Sequence, residues 1–425
     1  MSELLQYEVP ALDQRRLPCS CGHYAQYQEL RPKVVLTVVG PARILRPYYL
    51  CLQCHQGQFP ADVELDVNDT GVSPGVRRML AVVGAAAPFD QGRQQMEVLA
   101  GLKVTAKAVL TTGEAAQVDL SPDKQWRQSS PLVYTAEAIG GDIAQGEQRE
   151  IQRAVQLDLP VIVGKPVPVL YVQLDGTGVP VVKKETVGRQ GKTADQPAHT
   201  REAKLGCVFT QTTWDKEGYP IRDPDSTTYT GAIETAEDFG KRIYLEAWKR
   251  GWSRAETKVV MGDGAEWIWN LADQHFPGAV QIVDLYHARQ HLWALARKLH
   301  PHDEINQQAW MNAHQERLLD KGKIEELVLS LRSLDSANPE IGEEARKEAD
   351  YFEKNAERMR YPKFRREHLF VGSGVIEAGC KTVIGTRLKQ SGMFWTLRGA
   401  NSIIALRCCH HNGRFEDYWE ARRAA

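Results

Sequence analysis

Asp175 and Asp263 each close an apolar run and are each followed by glycine, in Val167-Pro168-Val169-Leu170-Tyr171-Val172-Gln173-Leu174-Asp175-Gly176-Thr177-Gly178 and in Lys258-Val259-Val260-Met261-Gly262-Asp263-Gly264-Ala265. A carboxylate at the end of a buried strand, beside a glycine that lets a ligand or another backbone come close, suits a hard metal ion. Glu377 follows in Gly372-Ser373-Gly374-Val375-Ile376-Glu377-Ala378-Gly379, at the start of an expected helix. Two Mg²⁺ (or Mn²⁺) ions about 4 Å apart can activate an attacking oxygen and stabilise a departing one, and they need bridging and terminal oxygen ligands. On this reading Asp175 bridges the ions, Asp263 ligates one and Glu377 the other. A single Asp-Gly is more often a turn; it is the order Asp, Asp, Glu that points to phosphoryl transfer. Gly372-x-Gly374-x-x-Glu377 is not a dinucleotide loop, because the third glycine and the strand-helix context are missing.

Asp284-Leu285-Tyr286-His287 is the next group. A strand-end aspartate with histidine three residues on can bring an imidazole beside the metal site, to contact a phosphate or carry a proton. The plainer alternative is a helix N-cap with a locally bonded histidine. We read both residues as supporting ones, with Asp263 rather than Asp284 as the second metal ligand. His291, one turn on, shares that face without an assigned role. Trp267, Trp269, Trp293 and Trp395 are expected mostly in the core, although one could stack on an unpaired base.

The eight cysteines include Cys19-Ser20-Cys21 and Cys51-Leu52-Gln53-Cys54, which bracket a hairpin-like stretch with alternating residues at 34–39, Gly40-Pro41 and a second run at 43–50. Cys19, Cys21, Cys51 and Cys54 could hold one structural Zn²⁺. Free thiols, or a redox pair at Cys51 and Cys54, are the alternatives.

The elements that must position these groups follow from patterning. Ser73-Pro74 is an N-cap and first helical residue ahead of Val76, Met79, Leu80 and Val83. Further short helices containing Met96, Leu99, Val104, Val109 and Leu110 are punctuated by Pro88, Gly101 and Thr105. Such a cluster is either a helix-turn-helix or a small packing domain. A polar connector runs from 118 to 160. Strands are expected at 167–174, 178–184, 204–213, 257–262 and 279–283, and helices at 235–250, 265–275 and 288–299. Residues 300–360 read as all-helical, an insertion before Glu377. Three early strands followed by helix-separated strands ending in acidic residues is the order of a ribonuclease H-like fold.

With 425 residues, 42% hydrophobic and 25% charged, the composition is that of a globular protein, and the net charge of -1 announces no nucleic-acid partner globally. A local basic surface is a candidate from Lys381 onward, with Arg387, Lys389, Arg398, Arg407, Arg414, Arg422 and Arg423. Residues 1–8 lack the regions of a signal peptide and no apolar run is long enough to span a bilayer. The expectation is a cytoplasmic protein without a membrane partner.

Together these motifs resemble bacterial insertion-sequence transposases of the Mutator-like DDE superfamily, and look closest to the ISKra group. The resemblance rests on the cysteine knuckles, Ser73-Pro74-Gly75, Leu174-Asp175-Gly176-Thr177-Gly178-Val179-Pro180, Gly262-Asp263-Gly264-Ala265-Glu266-Trp267, Asp284-x-x-His287 and Gly374-Val375-Ile376-Glu377. It implies an α/β, ribonuclease H-like catalytic core interrupted by an α-helical insertion, preceded by a zinc ribbon and a small helical DNA-binding domain. It also implies Asp175, Asp263 and Glu377 as the catalytic triad, and N-terminal units that recognise terminal inverted repeats. The expected division is 1–66 zinc ribbon, 67–160 helical unit and connector, 161–299 first part of the core, 300–365 insertion and 366–425 second part with the Glu-bearing helix. The expected activity is metal-dependent cleavage at transposon ends and transfer of the 3′-hydroxyl into target DNA, by a homodimer or higher homo-oligomer associated with the bacterial nucleoid. A ribonuclease H-like nuclease or resolvase without strand transfer, and a domesticated zinc-ribbon DNA-binding protein, are the alternatives.

Overall fold

Residues 6–68, 70–104, 131–156, 159, 163–191, 198–334 and 338–424 are described by a computed structural model. Thr105, Val109, Leu110, the connector from 118 to 130 and the side chain of Arg423 lie outside the described residues. Two units divide the chain, Met1–Ile139 and Gly140–Ala425.

In the first unit, β1 (Arg16–Pro18), β2 (Tyr24–Thr37), β3 (Gly40–Cys51) and β4 (Gly57–Gln58) form an antiparallel sheet in that spatial order. The hairpin is much longer than the alternation at 34–39 suggested, because Ala25 already pairs with Cys51. Its turn is Val38-Val39 rather than Gly40-Pro41: Gly40, at φ +107°, leaves a two-residue loop and begins β3 directly. Helix Pro74–Ala86 is capped by the Ser73 hydroxyl, which accepts from the Val76 N–H at 3.4 Å. Helix Phe89–Ala100 closes on Gly101, whose φ of +65° lets its N–H and that of Leu102 reach back to the last turn. Val72, Val76, Leu80, Met96, Leu102 and Val104 pack between the helices, with Leu36 of β2 against them. The Leu36 N–H donates to the Gly71 carbonyl at 2.7 Å, so the hairpin and the helix pair share one core across residue 66.

The second unit is mixed α/β. Its central sheet contains β5 (Val167–Pro180), β6 (Thr200–Gln211), β9 (Thr228–Ala232), β10 (Ala255–Gly262) and β11 (Val280–Val283), in the spatial order β11-β10-β5-β6-β9. The short β7 (Thr213–Trp214) and β8 (Pro220–Ile221) pair separately. β6 is antiparallel to β5 and β9, while β10 and β11 run parallel to β5. Helix Ala236–Lys249 connects β9 to β10, and Glu266–His275 connects β10 to β11. Leu170 to Leu174 of β5 are all buried, as expected of a strand with both faces covered.

Two expectations need correction. The strands expected at 167–174 and 178–184 are one strand, β5, so Asp175 lies inside the paired stretch, opposite Leu205. Gly176 and Gly178 do not break it; they make room for side chains of β6. A Cβ on Gly176 would lie 2.5 Å from Glu202 Oε1, and one on Gly178 would lie 3.2 Å from Thr200 Oγ1. The continuous burial, not the pairing, is interrupted at Asp175 and resumes at Val179. The third core strand is β9, at 228–232, which the sequence did not announce because it has only five residues, Thr-Tyr-Thr-Gly-Ala.

Between helix Leu285–Leu299 and Glu377 the described chain is helical, with Glu304–Met311, Ile324–Arg332, Pro339–Lys354 and Tyr361–Arg366 as its main elements. Glu377 lies on helix Gly374–Gly379, which continues as a wider π-type turn over Cys380–Gly385. Gln173, fully buried in β5, fastens this helix to the sheet. Its Oε1 accepts from the Ile376 N–H at 3.1 Å and its Nε2 donates to the Gly372 carbonyl at 3.4 Å. Gln173→Leu therefore leaves buried backbone groups without a partner and should cost about 1–3 kcal/mol. Urea unfolding of the full chain measures this; an unchanged midpoint would mean that the helix is held by packing alone.

Candidate metal and phosphoryl-transfer site

β-Sheet register brings the acidic residues into a row. Met261 pairs with Gln173, and Gly262 pairs with Val283. Carried forward, the same register sets Asp263 beside Asp175 on one side and beside Asp284 on the other. Side chains at matching positions of neighbouring strands share a face. That face is the one Gln173 uses to hold the Glu377 helix.

Each acidic residue is then held differently. Asp175 Oδ1 accepts from the Gly176 N–H at 2.7 Å, and the buried Cys380 thiol also bonds its carboxylate. Burial raises the Asp175 pKa above the ordinary carboxylate range; the Cys380 bond opposes this, while the charges of Asp263 and Glu377 add to it. Asp175 thus senses the charge of both other carboxylates. Asp263 Oδ1 accepts from the Ala265 N–H at 2.9 Å. Its carbonyl accepts from the Tyr351 hydroxyl at 3.0 Å. Gly264 is at φ +101°, and a Cβ there would lie 2.6 Å from the Tyr351 ring, so glycine is required twice over. Glu377 is exposed, and the Ser373 hydroxyl lies 3.3 Å from its Oε1.

Asp284 has a different place from the other three. It is completely buried. One oxygen accepts from the His287 N–H at 2.5 Å, capping helix Leu285–Leu299, and the other accepts from the Ser373 N–H. It therefore ties the helix after β11 to the segment that carries Glu377. His287 Nε2 meets His291 Nε2 at 3.3 Å, and His291 Nδ1 lies 2.8 Å from Glu348. The His291 ring stacks on Tyr351 with centroids 4.2 Å apart. This chain of contacts leads back to Asp263 through the Tyr351 hydroxyl. Burial, then the charges of Asp263, Glu348 and Asp284, push the Tyr351 phenol up, so it stays a neutral donor.

Would this site accept hard cations? Its donors are carboxylate oxygens, and among the described residues no lysine or arginine forms an ion pair with Asp175, Asp263 or Glu377. Three carboxylates, of which Asp175 feels the charge of the other two, without an internal counter-charge among the described residues fit a divalent cation such as Mg²⁺. Their oxygens do not all lie within 4.8 Å of one another, a closeness that among the described residues marks the four cysteines.

The cysteine group in the first unit is compact. Cys19 Sγ lies 3.5 Å from Cys54 Sγ, and Cys21 Sγ lies 3.6 Å from Cys51 Sγ. Four thiolates about 2.3 Å from one tetrahedral Zn²⁺ sit about 3.8 Å apart, so this group could bind zinc. Two turns shape it: Gly22 at φ +85° follows the first pair, and His55 at φ +56° takes the equivalent place after the second. The Cys21 N–H directed at Cys19 holds its thiol down to about 6, and the Cys54 and Gln53 N–H groups lower that of Cys51.

Gln173, Ser373, Tyr351, Cys380 and the His291–Glu348 pair were not assigned from sequence. A glutamine inside the run Leu-Tyr-Val-Gln-Leu was a visible signal; Tyr351 and Glu348, deep in the helical segment before Glu377, gave none. Trp269 and Trp395 are buried, whereas Trp267 and Trp293 are half-buried. The basic surface expected from Lys381 onward is internal only at Arg387 and Arg407, while Arg414 is half-exposed and paired. Arg387 is fully buried, Arg407 bonds the Val383 carbonyl at 2.6 Å, and Arg414 pairs with Glu246 at 2.8 Å. Lys381, Lys389 and Arg398 remain exposed.

No family model and no curated protein matches the chain. Among solved structures it is similar to the Drosophila P element transposase strand transfer complex, at 11% identity over 66% of this chain and 80% of that one, with a TM-score of 0.20. A likeness that weak carries no argument about activity. No helix among the described residues is long and apolar enough to cross a membrane.

Cys51→Ser should reduce bound zinc from about one ion per chain to nearly none; elemental analysis of purified protein checks this, and undiminished zinc would move the site elsewhere. Asp284→Ala leaves two backbone N–H groups unpaired and should lower stability by about 2–4 kcal/mol, read from the denaturant midpoint of the full chain.

Proposed function

We propose that this chain is a DNA transposase of the DDE type, built on a ribonuclease H-like core. What supports the reading is the register that sets Asp263 beside Asp175, on the sheet face that Gln173 ties to the Glu377 segment, with Asp175 feeling the charge of both others. The strand order β11-β10-β5-β6-β9, with only β6 reversed, is the order such a core calls for and supports the same reading. So does the helical segment between Asp263 and Glu377.

Asp175, Asp263 and Glu377 would together hold two Mg²⁺ or Mn²⁺ ions. Bound there, the ions would activate the attacking oxygen and stabilise the departing one during cleavage and strand transfer. The protein's own part is positioning. Tyr351 and the Ala265 N–H fix Asp263, while Gln173 and Asp284 fix the segment bearing Glu377. His287, kept in line by His291 and Glu348, would contact a phosphate or carry a proton as a supporting residue. The four-cysteine hairpin with its Zn²⁺ and the helix pair would recognise transposon ends. Pairing two ends calls for a homodimer or larger assembly, acting in the bacterial cytoplasm on nucleoid DNA. The divisions at 66, 160, 299 and 365 remain our proposal for how these roles are distributed.

Asp175→Asn, Asp263→Asn and Glu377→Gln should each reduce Mg²⁺-dependent cleavage of the element's end DNA by about a thousandfold or more, with DNA binding largely kept. Retained nicking in all three would sink the assignment. A pre-cut end carrying a free 3′-hydroxyl tests the second step: products joined to target DNA support a transposase, and cleavage without joining leaves a nuclease.

A further inference from the structure

A polar cavity of about 420 Å³ opens at the far edge of the sheet, formed by the approach to β9, the end of helix Ala236–Lys249 and the turn at 411–414. Arg222, Arg250 and Arg414 line it, with Thr228, Asp225 and His411. Register sets Thr228 opposite Val208, which faces Val172 of β5, three residues before Asp175 and two strands across. At about 3.4 Å per residue and 4.8 Å per strand, the Thr228 and Asp175 backbones lie on the order of 14 Å apart along the sheet, with their side chains on opposite faces.

The cavity is rigidly built. Asn412 bonds both backbone groups of Tyr229, at 2.7 and 2.8 Å, locking the turn to β9. Arg250 donates to the Ser226 carbonyl at 2.8 Å, and Arg222 to the Thr227 hydroxyl at 2.7 Å. Two polar atoms are nevertheless left over. Thr228, only 5% exposed, has a buried hydroxyl with no partner among the described residues, and so does the buried Arg250 Nε. Native structures rarely bury polar atoms without a reason, and a bound acceptor is one such reason.

Charge narrows the ligand. Arg414 is neutralised by Glu246, which it grips at 2.8 and 3.0 Å. Burial first, then the nearby Arg407 and His410, lowers the His411 pKa and keeps that ring neutral. Arg222 and Arg250 remain, against Asp225 on the rim. The balance is one positive charge, which matches a phosphodiester monoanion better than a phosphate dianion or a polyphosphate.

We infer that the Arg222–Arg250–Thr228 cavity holds a backbone phosphodiester of a nucleic-acid strand, away from the carboxylates. This rests on the DNA-acting reading above, but asks a separate question. The test is a binding titration of full-length, zinc-loaded protein with labelled DNA across salt concentrations, with Mg²⁺ and Mn²⁺ left out to prevent cleavage. An Arg222→Ala/Arg250→Gln double variant should bind about fivefold to tenfold more weakly, with a slope of log affinity against log salt lower by about one, the signature of one lost phosphate contact. Thr228→Val, which keeps side-chain shape, should weaken binding by a smaller factor without lowering the melting temperature. Unchanged affinity and slope in both variants would overturn the inference. So would stabilisation of wild type, but not the double variant, by inorganic phosphate alone with DNA affinity unchanged, since the ligand would then be a free phosphate. Wild type that cleaves DNA while both variants bind normally removes this site and leaves the transposase reading; wild type that neither binds nor cleaves DNA removes both.

Discussion

Parallel pairing of β5, β10 and β11 in one register is the constraint on which the second unit depends. Met261 beside Gln173 and Gly262 beside Val283 leave no freedom in where the next residues fall. A slip of one residue would turn every side chain of the moved strand to the opposite face. The Asp175–Asp263 pair would then come apart, and Gln173 would lose its hold on Ile376. The fully buried runs Leu170–Leu174 and Val259–Gly262 resist such a slip, since both faces of these strands are packed.

Around that register, the acidic residues take on separate tasks through their surroundings. Asp284 is sealed from solvent and saturated by two backbone N–H groups, so its charge is spent on architecture. Asp175, Asp263 and Glu377 stay at least partly open and have no cationic side chain among the described residues. Neighbouring carboxylates repel, and the raised pKa of Asp175 records that repulsion together with its burial. A protein would gain little from such an arrangement without a cation to share, which is why these three, and not Asp284, are the metal ligands we propose.

The helical segment between β11 and Glu377 is more than a spacer. Tyr351 touches the backbone of Asp263, stacks on His291 and closes over Gly264, while Glu348 orients His291. Through these contacts a change in the packing of helix Pro339–Lys354 would be felt at a carboxylate. The opposite edge of the sheet has its own fixed structure, where Asn412 bolts the C-terminal turn to β9 and shapes the arginine cavity.

Local chemistry made much of this legible. Ser73-Pro74 marked a helix start because a hydroxyl cap and a proline act within one turn. Cys19, Cys21, Cys51 and Cys54 marked a metal-suited group because thiol spacing survives in the linear chain. Apolar runs ending in Asp-Gly marked the strands of the site. The sequence also suggested a break at Gly176 that does not exist, since whether glycine turns a chain or makes room for Glu202 depends on what lies across the sheet. Strand β9 was too short to show a period, and the basic residues near the C-terminus looked like a surface until their partners, Glu246 and the Val383 carbonyl, were in place. Residue types and their order were thus set by the sequence alone. Which carboxylate faces solvent, which is buried as a brace, and which arginines stay unneutralised were decided by tertiary structure, because burial and pairing belong to neighbours that are distant along the chain.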